Sequence, residues 1–504
     1  MPPSEYSQTN LHNSVNMSQI NDHGADSTDP YTIFNTSQKA VIVTIVSVAA
    51  TLSGFASNIY FPSLPQIAHD LSVSTNRVNL TVTCYMIFQG LSPTLWGAVS
   101  DALGRRITYC CTMVVFLGAC IGLAETRDFV QLIVLRCVQS TGSASTIALG
   151  AGVIGDITRR GERGGYMGFY QGGVLMPVAI GPVIGGLLAG QLGWKSVFWF
   201  LAIHGAACLL LILLILPETL RSIAGNGSLQ AKGIAKSILG TYQRKRYLQT
   251  KAELPDSEDR SHKARAIDFF GPIKILFHLK TFSAIMLVGI HYTVWQMVLT
   301  ALSTLVSDRY HVTETQIGLI FLANGVGSVF GTLLTGKLLD LEYRKSLKKV
   351  GGDEQLIPIE KTRLKTAWIW SGLECASILI FGWTVDQNVH ISVPIISLFF
   401  LGWAAISIQC AVSTYLVDIH HSQSASATAS LNLIRCLMGA GGTAVVGPLI
   451  RAINVGWAFT LFALIMIISG VTVLILMVHV PRNTAGHRDA EGSIEQATTP
   501  EGEV

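Results

Sequence analysis

The sequence predicts an all-α membrane protein of twelve transmembrane helices in two pseudo-symmetric six-helix halves. Three observations carry that expectation. Charged residues are only 13% of 504 residues while apolar ones reach 50%, and the mean hydropathy is +0.46; soluble chains average about 25% charged residues. Apolar runs of roughly 20 residues, the length that crosses a bilayer, recur along the chain. Short polar motifs then echo between its first and second halves. The first observation excludes soluble α/β enzymes, nucleic-acid binders and coiled coils, and a net charge of +4 advertises no polyanionic partner. The second excludes membrane barrels, whose strands alternate over about ten residues.

The elements follow in order. Residues 1–38 are rich in Ser, Asn, Thr and Asp, with no base before Lys39. They read as a disordered cytosolic tail, without the basic region of a signal peptide. The N-terminal half, 39–216, carries runs near 40–62, 78–100, 107–124, 129–155, 165–190 and 196–216. A polar central loop occupies 217–280. The C-terminal half, 281–480, carries runs near 281–305, 315–338, 367–385, 391–416, 425–450 and 456–479, with a second polar loop at 341–366. Residues 481–504 form another cytosolic tail. If the N-terminus is inside, 28 of the 35 bases fall on the inner side, five on the outer side, and Arg136 and Arg435 within spans. Positive charge stays inside, so both termini are expected in the cytosol. The nine cysteines lie in apolar stretches without a metal-ligand cluster and read as packing fillers. No metal or cofactor is expected.

The halves echo at two places. Gly97-x-x-x-Asp101-x-x-x-Arg105 closes span 2, and Gly336-x-x-x-Asp340-x-x-x-Arg344 closes span 8. Gly181-Pro182 lies in span 5 and Gly447-Pro448 in span 11. Two parallel six-span halves with a site at the midplane between them make a transporter architecture.

The residues then resemble the major facilitator superfamily over roughly 40–480. The stretch from Gly97 through Asp101 and Gly104 to Arg105 and Arg106 resembles the family's signature loop between spans 2 and 3. Arg136-Cys-Val-Gln139-Ser-Thr-Gly142 is similar to its span 4 motif, with Ser140 in place of the usual glycine. Gly181-Pro182-Val-Ile-Gly185-Gly186 matches the antiporter motif, whose first glycine is replaced here by Pro177. Pro217-Glu218-Thr219-Leu220-Arg221 is similar to fungal twelve-span drug:proton antiporters. Asn58-Ile-Tyr60-Phe61-Pro62 and the run from Asp418 to Arg435 point to their quinidine-resistance-like clade. The resemblance implies the major facilitator fold and proton-driven export of small organic compounds, with the proton gradient as driving force.

It also implies a cytosolic gate. Gly97 permits a close helix approach, and Asp101 can face a neighbouring helix N-terminus. Arg105 is expected to pair with Asp156 when the gate is shut, and Asp340, Arg344 and Asp418 to repeat that arrangement. Such pairs bias a two-state equilibrium and do not hold substrate; an ordinary solvated turn is the alternative. Gly173, Pro177, Gly181 and Gly185 recur every four residues, a stripe that lets a second helix approach. That stripe serves coupling or plain packing.

Polar residues inside the spans supply the candidate cavity. A charge at the bilayer centre costs at least about 2.5–3.5 kcal/mol on insertion scales, so Arg136 and Arg435 are read as functional, with a fixed structural pair as the alternative. Glu374 is the one carboxylate well inside a span, and span 1 has none. Glu374 is a candidate proton site, with a structural pair as the alternative, and His291 is the other candidate, since histidine is the side chain whose ordinary titration lies nearest neutral pH. His291 sits with Tyr292, Trp295 and Gln296 in span 7. Asn58, Tyr85, Gln89, Gln139, Tyr170, Gln171, Asn324 and Asn432 are the expected cavity-lining companions. Two bases against one acid favour organic anions or neutral polar molecules over permanent cations.

The function expected is a monomeric secondary transporter that exports a small organic molecule against protons, in the plasma membrane or the vacuolar membrane. A nutrient importer and a non-transporting membrane sensor are the rivals. An enzyme is not expected, because no nucleophile, metal cluster or phosphate loop is present.

Overall fold

The computed structural model describes residues 31–229, 237–251, 276–351, 359–419 and 424–479. All regular structure among these is helical. Twelve long helices follow the apolar runs. They are α1 (Thr36–Asn58), α2 (Thr75–Leu103), α3 (Arg105–Ala124), α4 (Phe129–Ile157), α5 (Arg160–Leu192) and α6 (Lys195–Leu214), then α7 (Leu279–Tyr310), α8 (Glu314–Lys349), α9 (Ala367–Asp386), α10 (Ser392–Ile419), α11 (Ser424–Ile453) and α12 (Val455–His479). By length and composition, ten spans are apolar enough to cross a membrane. The other two are α2, diluted by Asn76, Arg77, Asn79, Gln89 and Asp101, and α12, whose described apolar part is Val455–Val471.

Three boundaries differ from the sequence expectation. Helix α1 starts at Thr36, where the Asn35 side chain accepts from the Gln38 N–H and Gln38 answers it. Ile33 and Phe34 are buried just before it, so residues 31–38 do not belong to a polar tail. Helix α1 also stops at Asn58 and not near 62, because a short 3₁₀ turn over Phe61–Ser63, with Pro62 inside it, turns the chain into the helix Leu64–Asp70. Helix α8 runs to Lys349, past the expected loop boundary at 341, since Glu342, Lys345, Lys348 and Lys349 are strong helix formers that need no burial. Residues 1–30, residues 230–236 and 252–275 of the central loop, and the last tail lie outside the described residues.

The two halves repeat one packing scheme. In the first half α1 packs on α4, α5 and α6, α2 on α4, and α3 on α4 and α6. In the second α7 packs on α10, α11 and α12, α8 on α10, and α9 on α10 and α12. Helix n of one half thus does what helix n+6 does in the other. The halves meet along two equivalent seams, α2 with α11 and α5 with α8.

Small residues build both seams. On α5, a Cβ at Gly186 would lie 2.4 Å from the Glu314 carbonyl and 3.0 Å from Gly318 Cα, and one at Gly325 of α8 would lie 2.1 Å from Ala179 Cα. On α2, a Cβ at Gly90 would touch Cys436 at 3.0 Å, and Thr83 bonds Thr443 at 2.9 Å. These contacts run from the outer ends to mid-depth. Residues seven apart share a helix face, so Gly97 continues the Gly90 face inward and Gly172 continues the Ala179 face. A Cβ at Gly97, at Gly172 or at Gly336 would meet nothing within 4 Å. Both seams are packed at the end that holds Gly186 and Gly318 and unpacked at the end that holds Gly97 and Gly336, the end expected to face the cytosol. In this state Gly97 makes no close helix approach.

Candidate functional site

Where the seams part, a polar cluster faces the gap at mid-depth. Arg435 of α11 is its centre. Its guanidinium donates to Gln409 Oε1 of α10 at 3.0 Å and to Asn432 Oδ1 at 3.0 and 3.3 Å, and it lies over the Tyr292 ring of α7 at 4.8 Å. Asn432 also donates to the Gln89 carbonyl of α2 at 3.4 Å, while Gln89 Oε1 has no partner among the described residues. Gln89, Gln409, Asn432 and Arg435 are all half-buried; Asn58 lies against Gly181 and donates to the Gly54 carbonyl at 2.8 Å, and Gln171 is exposed on α5. Every partner of Arg435 among the described residues is neutral. Gln409 was not among the expected residues; the signal for it is the same as for the others, a lone amide in the apolar stretch from Ile406 to Val412.

Several expected cavity residues lie elsewhere. Arg136 is 1% exposed, bracketed by the rings of Tyr60 and Tyr85, each 4.3 Å from its guanidinium carbon. It donates to the Ala56 carbonyl at 3.0 Å and to Gln139 Oε1 at 2.6 Å. Tyr85 in turn bonds Ser143 at 3.0 Å, and Gln139 reaches Cys120. Tyr170 donates to the Ile147 carbonyl at 2.7 Å inside the same half. Arg136, Tyr85, Gln139 and Tyr170 thus form buried ties among α1, α2, α3, α4 and α5. In the second half Trp295 donates to Asn324 at 2.9 Å and Gln296 to the Tyr292 hydroxyl at 3.3 Å, all four buried.

The two candidate proton carriers are neighbours. His291 Nδ1 lies 2.9 Å from Glu374 Oε2, and Ser371 Oγ is 3.2 Å from His291 Nε2. The two side chains are 1% and 0% exposed.

On the inner side Arg105 reaches Asp156 at 3.1 Å and Asp101 at 2.8 Å. All three belong to the first half, so the contact exists while the inner side is open. In the second half the corresponding pair has a different base. Asp418 is met by Arg363 at 2.7 Å, from the helix Ile359–Leu364, and not by Arg344, because α8 continues straight past Asp340 and carries Arg344 onward. Glu218 closes the other side of the first half. Its carboxylate accepts the N–H groups of Arg105 and Arg106 at 2.9 and 3.2 Å, and those of Thr219 and Leu220 at 3.0 Å. Arg106 reciprocates by donating to the carbonyls of Leu213 and Leu216. Gly104, at φ +102°, is required there, because a Cβ would fall 2.5 Å from Glu218 Oε2. Lys39 lies 2.5 Å from Glu162; that ammonium and the Arg159 N–H hold the Glu162 carboxyl below the usual range. The tie therefore stands at neutral pH and is lost only as pH falls through the lowered value.

Comparison with known proteins agrees with this architecture. Residues 46–443 match the family model described as Major Facilitator Superfamily. Citrate exporter 1 of Aspergillus niger is 38% identical over 447 residues, covering 86% of this chain and 84% of that protein. The MFS antiporter QDR2 of Candida albicans is 34% identical over 454 residues, covering 87% and 88%. Among solved structures, the Escherichia coli xylose transporter XylE in a partially occluded inward-open conformation superposes with a TM-score of 0.63 at 15% identity, covering 89% of this chain and 99% of that one. The human organic anion transporter MFSD10 gives 0.57 at 17% identity, covering 86% and 99%. The chain belongs to the Major Facilitator Superfamily and is an integral membrane transporter, not an enzyme.

Proposed function

We propose that the protein exports small organic acids, as anions, from the cytosol by alternating access, in exchange for protons. The observation that carries this is the half-buried Arg435 at mid-depth, whose hydrogen bonds among the described residues go to neutral amides. Arginine stays charged even when desolvated, and a charge left without a counter-ion in a low-dielectric cavity attracts the opposite sign strongly. Gln89, Gln409, Asn432 and the Tyr292 hydroxyl add neutral hydrogen-bonding groups around it, suited to a carboxylate with further oxygens. The relative named as a citrate exporter supports the same substrate class. The buried His291–Glu374 pair supports proton exchange. We place the protein in the plasma membrane, as a monomer with both termini in the cytosol, where export removes the organic anion from the cell.

The test is transport into inside-out vesicles bearing an imposed pH gradient, over a panel of di- and tricarboxylates, phenolic acids, neutral sugars and quaternary amines. Carboxylates are expected to accumulate and to compete with one another, with accumulation collapsing when the gradient is dissipated. Accumulation of quaternary amines with no competition from carboxylates overturns the reading.

A further inference from the structure

We propose that His291, Glu374 and Ser371 act as one proton-binding unit, set apart from the substrate cavity and served from the cytosolic side by water along the inner part of α9. The inference rests on proton exchange in the function proposed above, and adds where the proton sits and how it leaves.

Three observations support it. The first is the geometry of the unit: imidazole, carboxylate and hydroxyl are linked at 2.9 and 3.2 Å, and both ionisable groups are sealed from solvent. The second is orientation. Tyr292 turns its ring to Arg435, and His291, the preceding residue on the same helix, points about 100° away, toward Glu374 of α9. Substrate and proton groups thus share helix α7 but not a cavity. The third is a file of unanswered polar atoms. Glu374 Oε1, Trp370 Nε1 and Thr366 Oγ1 are buried without a partner among the described residues, as is Nε1 of Trp403, whose ring lies 5.7 Å from that of Trp370. Residues 366, 370 and 374 are four apart, so they lie on one helix face and span about 12 Å from the inner end of α9 to the carboxylate. Buried polar groups left unanswered by protein are ordinarily answered by ordered water.

The surroundings add little charge. Helix α10 carries only Asp418, at its inner end and bound to Arg363, and α12 carries no charged residue in its described part; Cys375 beside Glu374 donates to the Ala463 carbonyl. On α7, Lys280, Asp308 and Arg309 sit at the helix ends, and on α9 Asp386 lies at the outer end. With neutral imidazole and ionised carboxylate the unit carries one negative charge. One proton taken from water neutralises it, and its return to cytosolic water restores the charge; no other bond changes.

The test is infrared difference spectroscopy of the purified full-length protein between acid and alkaline buffer, which needs no substrate. A carboxyl band that titrates is expected, lost in Glu374→Gln. Ser371→Ala should move its midpoint by at least half a pH unit, and Trp370→Phe should slow its exchange in heavy water about tenfold. A band unchanged by Glu374→Gln, or a midpoint unmoved by Ser371→Ala, overturns the proposal. An unaltered exchange rate in Trp370→Phe overturns the route. Should Glu374→Gln fail to fold, the Ser371→Ala midpoint decides alone. The export reading fails on a separate measurement, the absence of labelled-citrate counterflow in liposomes of the unmodified protein.

Discussion

Arg136 and Arg435 look alike in sequence, each a lone base in an apolar span, yet they sit in opposite kinds of environment. Arg136 is enclosed by Tyr60, Tyr85, Gln139 and the Ala56 carbonyl, whereas Arg435 is only half-buried, between Gln409, Asn432 and the Tyr292 ring. Their substitutions should therefore separate. Arg435→Gln should lower carboxylate affinity by about 1.5–3 kcal/mol, the scale of a charged hydrogen bond, with little change in thermal stability; competition binding checks it. Arg136→Met should instead lower the melting temperature, since it orphans Gln139 Oε1 and a buried carbonyl at about 1–3 kcal/mol each; its residual binding should be near normal in the protein that folds. What the sequence could show was that both charges are costly in a membrane. Which of them is the less enclosed was not legible, because the answer depends on the rings that Tyr60, just after α1, and Tyr85, on α2, bring to Arg136.

At the scale of the helix, α5 works with two faces. Gly173, Pro177, Gly181 and Gly185 receive α1, and a Cβ at Gly185 would lie 2.0 Å from the Ile59 carbonyl. Gly186 and Gly190, on the next face, receive α8. The first face joins helices of one half and the second joins the halves, so under the alternating access proposed above only the second has to part. Gly318→Ala, whose Cβ would lie 2.5 Å from the Pro182 carbonyl and 3.2 Å from Gly186 Cα, should pry the outer seam open and shift the population toward the outward-facing state. Cysteine labelling from the outer side should rise as a result; unchanged labelling would mean that the seam tolerates the methyl. The four-residue stripe was readable in advance because its spacing lies within one helix. The second face was not, since it takes meaning only from the glycines of α8. The same limit hid Arg363, whose pairing with Asp418 depends on where the chain returns after α8.

Across the whole molecule, the twelve spans and the two halves were legible because hydropathy and charge bias are properties of the chain itself. The open inner side was not, since one sequence serves both states. Asp101 bears on that choice. It holds Arg105 within its own half while the inner side stands open, so its partner must be renegotiated when the halves close. Asp101→Asn should slow exchange of substrate across vesicles while leaving the amount of inserted protein unchanged; a normal rate would remove Asp101 from the gate. The clamp opposite it has a different kind of consequence. The amides of Arg105 and Arg106 are answered by a carboxylate that lies 113 and 112 residues further along the chain, and the Arg106 guanidinium by carbonyls almost as distant. During synthesis the start of α3 therefore waits, uncapped, until α6 and the following Pro217-Glu218-Thr219 turn have emerged. The first half is locked by its last residues, which makes that turn a checkpoint in biogenesis as much as a part of the finished transporter.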